Sequence, residues 1–172
     1  MPGNSPRAPE QDGSSAAGLA SGQSSSRNQR YWFHILSRNT QAARHLHAAK
    51  LAEKAWLQGD RVGISCDSME QASELDELLW NFSPDSFIPH SVITGAPGND
   101  RDPVCILTGP PSPDDWDTVI VLASSLPPGA ERFNRLALVA HNDPATLNLA
   151  RTHFRQLRAL GIEPRVHDQR KR

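Results

Sequence analysis

The chain has 172 residues, a mean hydropathy of −0.53 and a net charge of −1, enough length for one domain with a sizeable core. It holds no run of eighteen apolar residues, and its first 28 residues lack the apolar centre of a secretory signal, so neither a membrane span nor export is expected. The charge is divided: residues 151–172 carry seven basic and two acidic groups, a net of +5, which leaves −6 for residues 1–150. Such a division disfavours a general nucleic-acid binder, which needs a broad basic surface, and suits a local anionic ligand near the C-terminus.

Residues 1–29 are rich in Ser, Gly, Pro and Ala and nearly free of bulky apolar groups. They cannot bury enough surface to offset the entropy of ordering, so a disordered tail is expected. A single α/β domain is expected over 30–168, with a basic tail at 169–172. Tyr31–Leu36 has the aromatic and branched content of a first strand. Thr40–Gln58 reads as a helix with a broad apolar face (Ala42, Ala43, Leu46, Ala49, Leu51, Ala52, Ala55, Trp56), stopped by Gly59. Arg61–Cys66 is a second, buried strand. Ser68 and Gln71 form a capping box for a helix running to about Trp80. Alternating strands and helices at this spacing predict a Rossmann-like three-layer fold, a mostly parallel central sheet with helices on both faces.

Between Asp67 and Asp85 there are six acidic residues and no basic one. In this acidic helix Ala72, Leu75, Leu78 and Leu79 form the buried stripe, while Trp80 lies about 100° off its centre. Phe82 and Phe87-Ile88-Pro89 follow, so an exposed aromatic patch competes with simple cover of a sheet edge. Phe87–Ile93 is short and extended, and Pro89 places it at an edge or bulge. Thr94–Asp102 is a Gly/Pro/Asn/Asp loop. Val104–Leu107, Thr118–Leu122 and Leu136–Ala140 are core strands.

Asn142–Gly161 is a helix with Asp143 as cap, Pro144 in the first position and Gly161 at the exit. Thr146, Leu149, Ala150, His153, Leu157 and Leu160 fall on one arc expected to face the core. Arg151, Arg155 and Arg158 share another side, and Leu147 and Phe154 lie on the border. Glu163–His167 is short and extended enough to close the sheet.

Catalytic alternatives are thinner. The first strand is followed by Ser37-Arg38-Asn39-Thr40, with no glycine to admit a pyrophosphate, and no Walker-type loop occurs. Cys66-Asp67 stands at a strand end, where α/β enzymes place reactive groups, so a small nucleotide-binding or hydrolytic enzyme is the alternative reading. Helix capping accounts for Asp67-Ser68 equally well, and Cys66 and Cys105 read as buried reduced thiols of a cytoplasmic protein. His45 and His47 point about 200° apart on their helix and the other histidines are scattered, so no metal site is expected. Nothing in the sequence calls for a cofactor.

Leu75-Asp76-Glu77-Leu78-Leu79-Trp80 followed by Ser86-Phe87-Ile88-Pro89-His90 resembles the chi subunit of bacterial DNA polymerase III. The aromatic first strand, Trp56-x-x-Gly59 and Leu149-Ala150-Arg151 are consistent with it, over about residues 30–165. The resemblance implies a non-catalytic subunit of the clamp-loader assembly that holds the acidic C-terminal tail of single-stranded DNA-binding protein, a tail ending in a phenylalanine carboxylate. It implies DNA contacted indirectly, and a psi subunit or a helicase as a further partner. By position the tail-binding residues are Arg151, Phe154, Arg155 and Arg158, with Leu147 beside them and Ala140 and His141 at the strand end. The partner-subunit residues are Trp80, Phe87 and Pro89. Leu147 stands where relatives can carry a basic residue, so the basic rim is either shorter here or supplemented by the Arg170–Arg172 tail.

Overall fold

The computed structural model describes Gly3 and residues 30–95 and 102–171; the expected disordered tail apart from Gly3, most of the Thr94–Asp102 loop and Arg172 lie outside the described residues. Seven strands form one sheet: β1 (Tyr31–Ile35), β2 (Val62–Ser65), β3 (His90–Ile93), β4 (Val104–Leu107), β5 (Thr118–Val121), β6 (Arg135–Ala140) and β7 (Arg165–Asp168). Their order is β3-β4-β2-β5-β6-β1-β7, and every pairing is parallel. The sheet is therefore wholly parallel, as an alternation of strands with crossovers requires.

Helices α1 (Gln41–Leu57) and α2 (Met69–Asn81) cover one face, and α3 (Pro144–Ala159) covers part of the other. Strands buried on both sides explain the continuous apolar runs of β2, β4 and β5, all of whose residues are buried. Each helix starts where a side chain caps it: Thr40 accepts from the Ala43 amide and Ser68 from the Gln71 amide. The Gln71 side chain accepts from the Asp67 amide in return, close to the capping box that the sequence implies. β3 is one of the two edge strands and begins only after Pro89, which lacks the amide needed for the ladder.

Two expectations for the helices change. In α1, Ala42 is exposed and the buried stripe runs through His45, Ala48, Ala49, Ala52 and Ala55, because α1 packs against α2 as well as the sheet. Small residues on that stripe let the helix lie close to the strands. In α2, Gln71 joins Ala72, Leu75 and Leu79 inside, and its side-chain nitrogen lies 3.3 Å from His45 Nε2.

Burial also lowers the basicity of several histidines. His34 is held at about 4, first by burial and then by His47, His167 and Lys54; His45, His47, His141 and His153 are lowered too, with burial the largest cause in each. The folded state resists protonation at these positions while the unfolded chain accepts it near the ordinary histidine value. Stability is therefore complete above about pH 6.5 and declines as pH falls toward 4, by on the order of 1–2 kcal/mol for His34 once its partial exposure is discounted. Thermal unfolding at pH 7 and pH 5 checks this: a fall of several degrees is expected at pH 5, and an unchanged or higher midpoint contradicts it.

Candidate partner-binding site

Helix α3 is set by its ends. Asp143 Oδ2 accepts from the Ala145 and Thr146 amides at 3.1 and 3.2 Å, Pro144 needs no donor partner, and Gly161 leaves the helix at φ +82°. Its inner face is fixed by Leu157 and His153, both buried, and by Phe154, whose ring meets Phe33 of β1 edge-on at 5.5 Å. The helix is rotated relative to the sequence expectation. Leu149 and Leu160, placed on the core arc by periodicity, are 40% and 47% exposed. The large ring at Phe154 takes space against β1, so the centre of the buried face moves toward it and away from the two leucines.

That rotation creates a hollow of about 100 Å³ between α3, β1 and β7. Phe33, Ile35, Leu147, Phe154 and Val166 line it, with Arg151 and Arg170 as its charged members. An apolar floor with guanidinium groups at its edge suits a ring that ends in a carboxylate. Arg151 Nη1 donates to Asn148 Oδ1 at 3.0 Å, a neutral contact that orients the side chain and leaves its charge uncompensated. Among the described residues Arg155 and Arg158 are exposed and have no ion-pair partner; they continue the basic row outside the hollow. Arg170 lies in a 3-10 turn, Gln169–Lys171, that follows β7 directly. Its guanidinium bonds Asp168 at 2.8 and 3.0 Å, which holds the Asp168 carboxyl down at about 2. Arg170 is thus positioned but partly neutralised.

Of the residues singled out by sequence, the structure brings Leu147, Arg151 and Phe154 together. Ala140 is buried at the end of β6 and lines a neighbouring crevice, and His141 lies 3.5 Å from the Thr146 hydroxyl at the start of α3. Phe33, Ile35 and Val166 were not singled out. Alternation in β1 puts Phe33 and Ile35 on one face, and Val166 pairs with Phe33; only the sheet order shows that this face meets α3.

A second surface lies at the opposite edge. Trp80 is 53% and Phe87 64% exposed, with ring centroids 5.5 Å apart, and half-buried Pro89 follows. His90 supports them: its ring is 4.9 Å from Trp80, its Nδ1 donates to the Ile88 carbonyl at 2.7 Å, and its Nε2 lies 3.0 Å from Asp76 Oδ1. Two large exposed rings held from beneath form an apolar patch of the kind used at protein interfaces.

Residues 29–165 match the family model described as DNA polymerase III chi subunit, HolC. The chain belongs to this chi family. It is 36% identical over 135 residues to the DNA polymerase III subunit chi of Pseudomonas aeruginosa, covering 78% of this chain and 93% of the relative. It is 32% identical over 130 residues to the protein of the same description from Haemophilus influenzae, covering 75% and 90%. With the Escherichia coli protein of that description it shares 27% over 113 residues, covering 66% and 77%.

The chi-family chain also shows what occupies the ligand crevice of its fold. In open α/β sheets ligands sit where neighbouring strands send their connections apart. Here that point lies between β2, which leads through α2 to β3, and β5, which leads the other way to β6. Asp67 fills it: its carboxylate accepts from the Ser124 amide at 2.9 and 3.0 Å and from the Ser124 hydroxyl at 3.1 Å. Arg44 closes the same end through Nε, which donates to the Val139 carbonyl at 2.6 Å, and the remaining cavity is about 60 Å³. Burial pushes the Cys66 thiol up to about 11, so it is a poor nucleophile. Both residues of the enzyme alternative are thus engaged in structural contacts. Among the described residues no cluster of three His, Cys, Asp or Glu side chains is arranged to hold a metal, and no helix is long and apolar enough to cross a membrane.

Proposed function

We propose that this chi-family protein is a non-catalytic accessory subunit of a bacterial replicase, working in the cytoplasm within the clamp-loader assembly. The hollow beside Arg151 receives the acidic C-terminal tail of single-stranded DNA-binding protein, so that DNA is reached through that protein. The carrying observation is the union of Phe154, Leu147 and Val166 in an apolar hollow edged by Arg151. A terminal phenyl ring fills the hollow, its carboxylate faces the Arg151 fork, and preceding acidic residues lie along Arg155 and Arg158. The Trp80–Phe87–Pro89 patch docks a second subunit, psi or a helicase, on the far edge of the sheet. Some 60 residues of chain and the full width of the sheet separate the two surfaces, which lets one molecule bridge two partners.

Titration of the full chain with a labelled acidic peptide ending in phenylalanine tests the assignment. Binding of micromolar order is expected, about −8 kcal/mol, since a flexible tail must be ordered. It weakens with salt because the arginines are at the surface. No binding at low salt, or equal affinity for a peptide amidated at its C-terminus, overturns the tail assignment.

A further inference from the structure

The face of the sheet that carries α1 is left uncovered over β1 and β7. There Trp32 and His34 point away from the α3 side, and Arg165 and His167 of β7 stand beside them in register. With α1 as the other wall, Trp32, His34 and His167 line a groove of about 510 Å³ together with Arg30, His47 and Lys54, and Arg165 stands beside it over the Trp32 ring. Among the described residues the sole acid lining it, Asp60, is occupied by Arg135 and Thr118, each at 2.7 Å. The groove is therefore a cationic island that joins Arg30 and Lys54 of the acidic part of the chain to β7 of the basic part.

Its surface is built from rings as well as charges. Trp32 and His34 stack at 6.1 Å, His34 lies 5.0 Å from His47 and 5.9 Å from His167, and the Arg165 guanidinium sits 5.4 Å over Trp32. His34 Nδ1, His47 Nε2 and Arg30 Nε are buried without a hydrogen-bond partner among the described residues. The low basicity of His34 has His47, His167 and Lys54 among its causes, consistent with a positive potential there. Flat rings and separated cations beside Leu51, Ile120 and Ala137 lack the convergent fork that a peptide terminus needs. They match a strand of bases and phosphates, in which rings stack and each phosphate meets its own cation.

We propose that this groove binds a short single-stranded nucleic-acid segment, with bases against Trp32 and the imidazoles and phosphates on Lys54, Arg30 and Arg165. The proposal stands apart from the tail site, which lies on the other face of β1. The direct test is anisotropy of a labelled oligothymidylate of about 16 nucleotides titrated with the full chain in low salt. Saturable binding that quenches tryptophan fluorescence and weakens with salt is expected. Lys54→Glu, a change on an exposed helix face, and Trp32→Ala are each expected to weaken it about tenfold, while Arg151→Ala leaves it unchanged. Absence of binding overturns the proposal. So does binding that Lys54→Glu leaves intact, binding lost in Arg151→Ala instead, or a duplex bound as tightly as the single strand.

Discussion

Arg151→Ala is expected to lower affinity for the acidic, phenylalanine-terminated peptide at least tenfold, about 1.4 kcal/mol or more, without changing the melting temperature. The side chain is exposed and its one hydrogen bond among the described residues is to Asn148 on the same helix, so folding loses little. Binding loses a charge-assisted contact to a carboxylate set against an apolar wall, where water competes less well. Arg151→Lys is expected to recover part of the loss, because an ammonium keeps the charge and gives up the planar fork. Arg155→Ala and Arg158→Ala, outside the hollow, should each cost less and mainly reduce the salt dependence. Calorimetric titration of the four variants at two salt concentrations ranks them. Arg155→Ala costing more than Arg151→Ala would move the site along the helix, away from the hollow.

Leu157→Ala should destabilise the folded chain by about 2–5 kcal/mol, a large fraction of the roughly 5–15 kcal/mol typical of a domain. Leu157 is fully buried, packed in the cluster of Tyr31, Phe33, Phe133, Leu136 and Ile162. Its carbonyl accepts from the Ile162 amide at 3.0 Å, so the same residue anchors the helix and the turn into β7. Deleting its side chain leaves a cavity between α3 and the sheet. Leu149→Ala removes the same atoms from a position 40% exposed and is expected to cost under about 1 kcal/mol. Urea unfolding of both variants measures the rotation of α3 directly. Equal losses would restore the helix to the orientation that simple periodicity assigns.

The pair also shows where a sequence reading stops. A helical wheel places Leu149, Leu157 and Leu160 within one arc and cannot tell which part of it touches the sheet. That depends on what stands opposite, and Phe33 opposite Phe154 is a fact of strand order. Likewise the sequence carries Trp80 off its stripe and Phe87 beside a proline, but their approach to 5.5 Å over His90 depends on how the chain returns from α2 into β3. Arg170 was legible only as part of a basic tail; its place at the hollow follows from β7 pairing with β1 and ending beside α3.

By itself the amino-acid sequence determined the layered α/β architecture, the caps and exits of the helices, an edge or bulge for the strand at Pro89 and the helix that carries Arg151. These rest on interactions within a few residues: a capping oxygen reaches amides two or three positions ahead, a proline withholds its own donor, and alternating apolar runs demand burial. The tertiary structure alone decided the order β3-β4-β2-β5-β6-β1-β7, and with it everything that depends on neighbours distant in the chain. It closed the strand-end crevice by setting Asp67 against Ser124, and it brought Val166 and Arg170 to the hollow. It also gathered Arg30 and Lys54, which the net of −6 over residues 1–150 conceals, into a groove beside Arg165 of the basic C-terminal part. Charge and apolar surface act through space over a few ångströms, and a sequence orders residues by bonds, so such sites become visible only once the strands are paired.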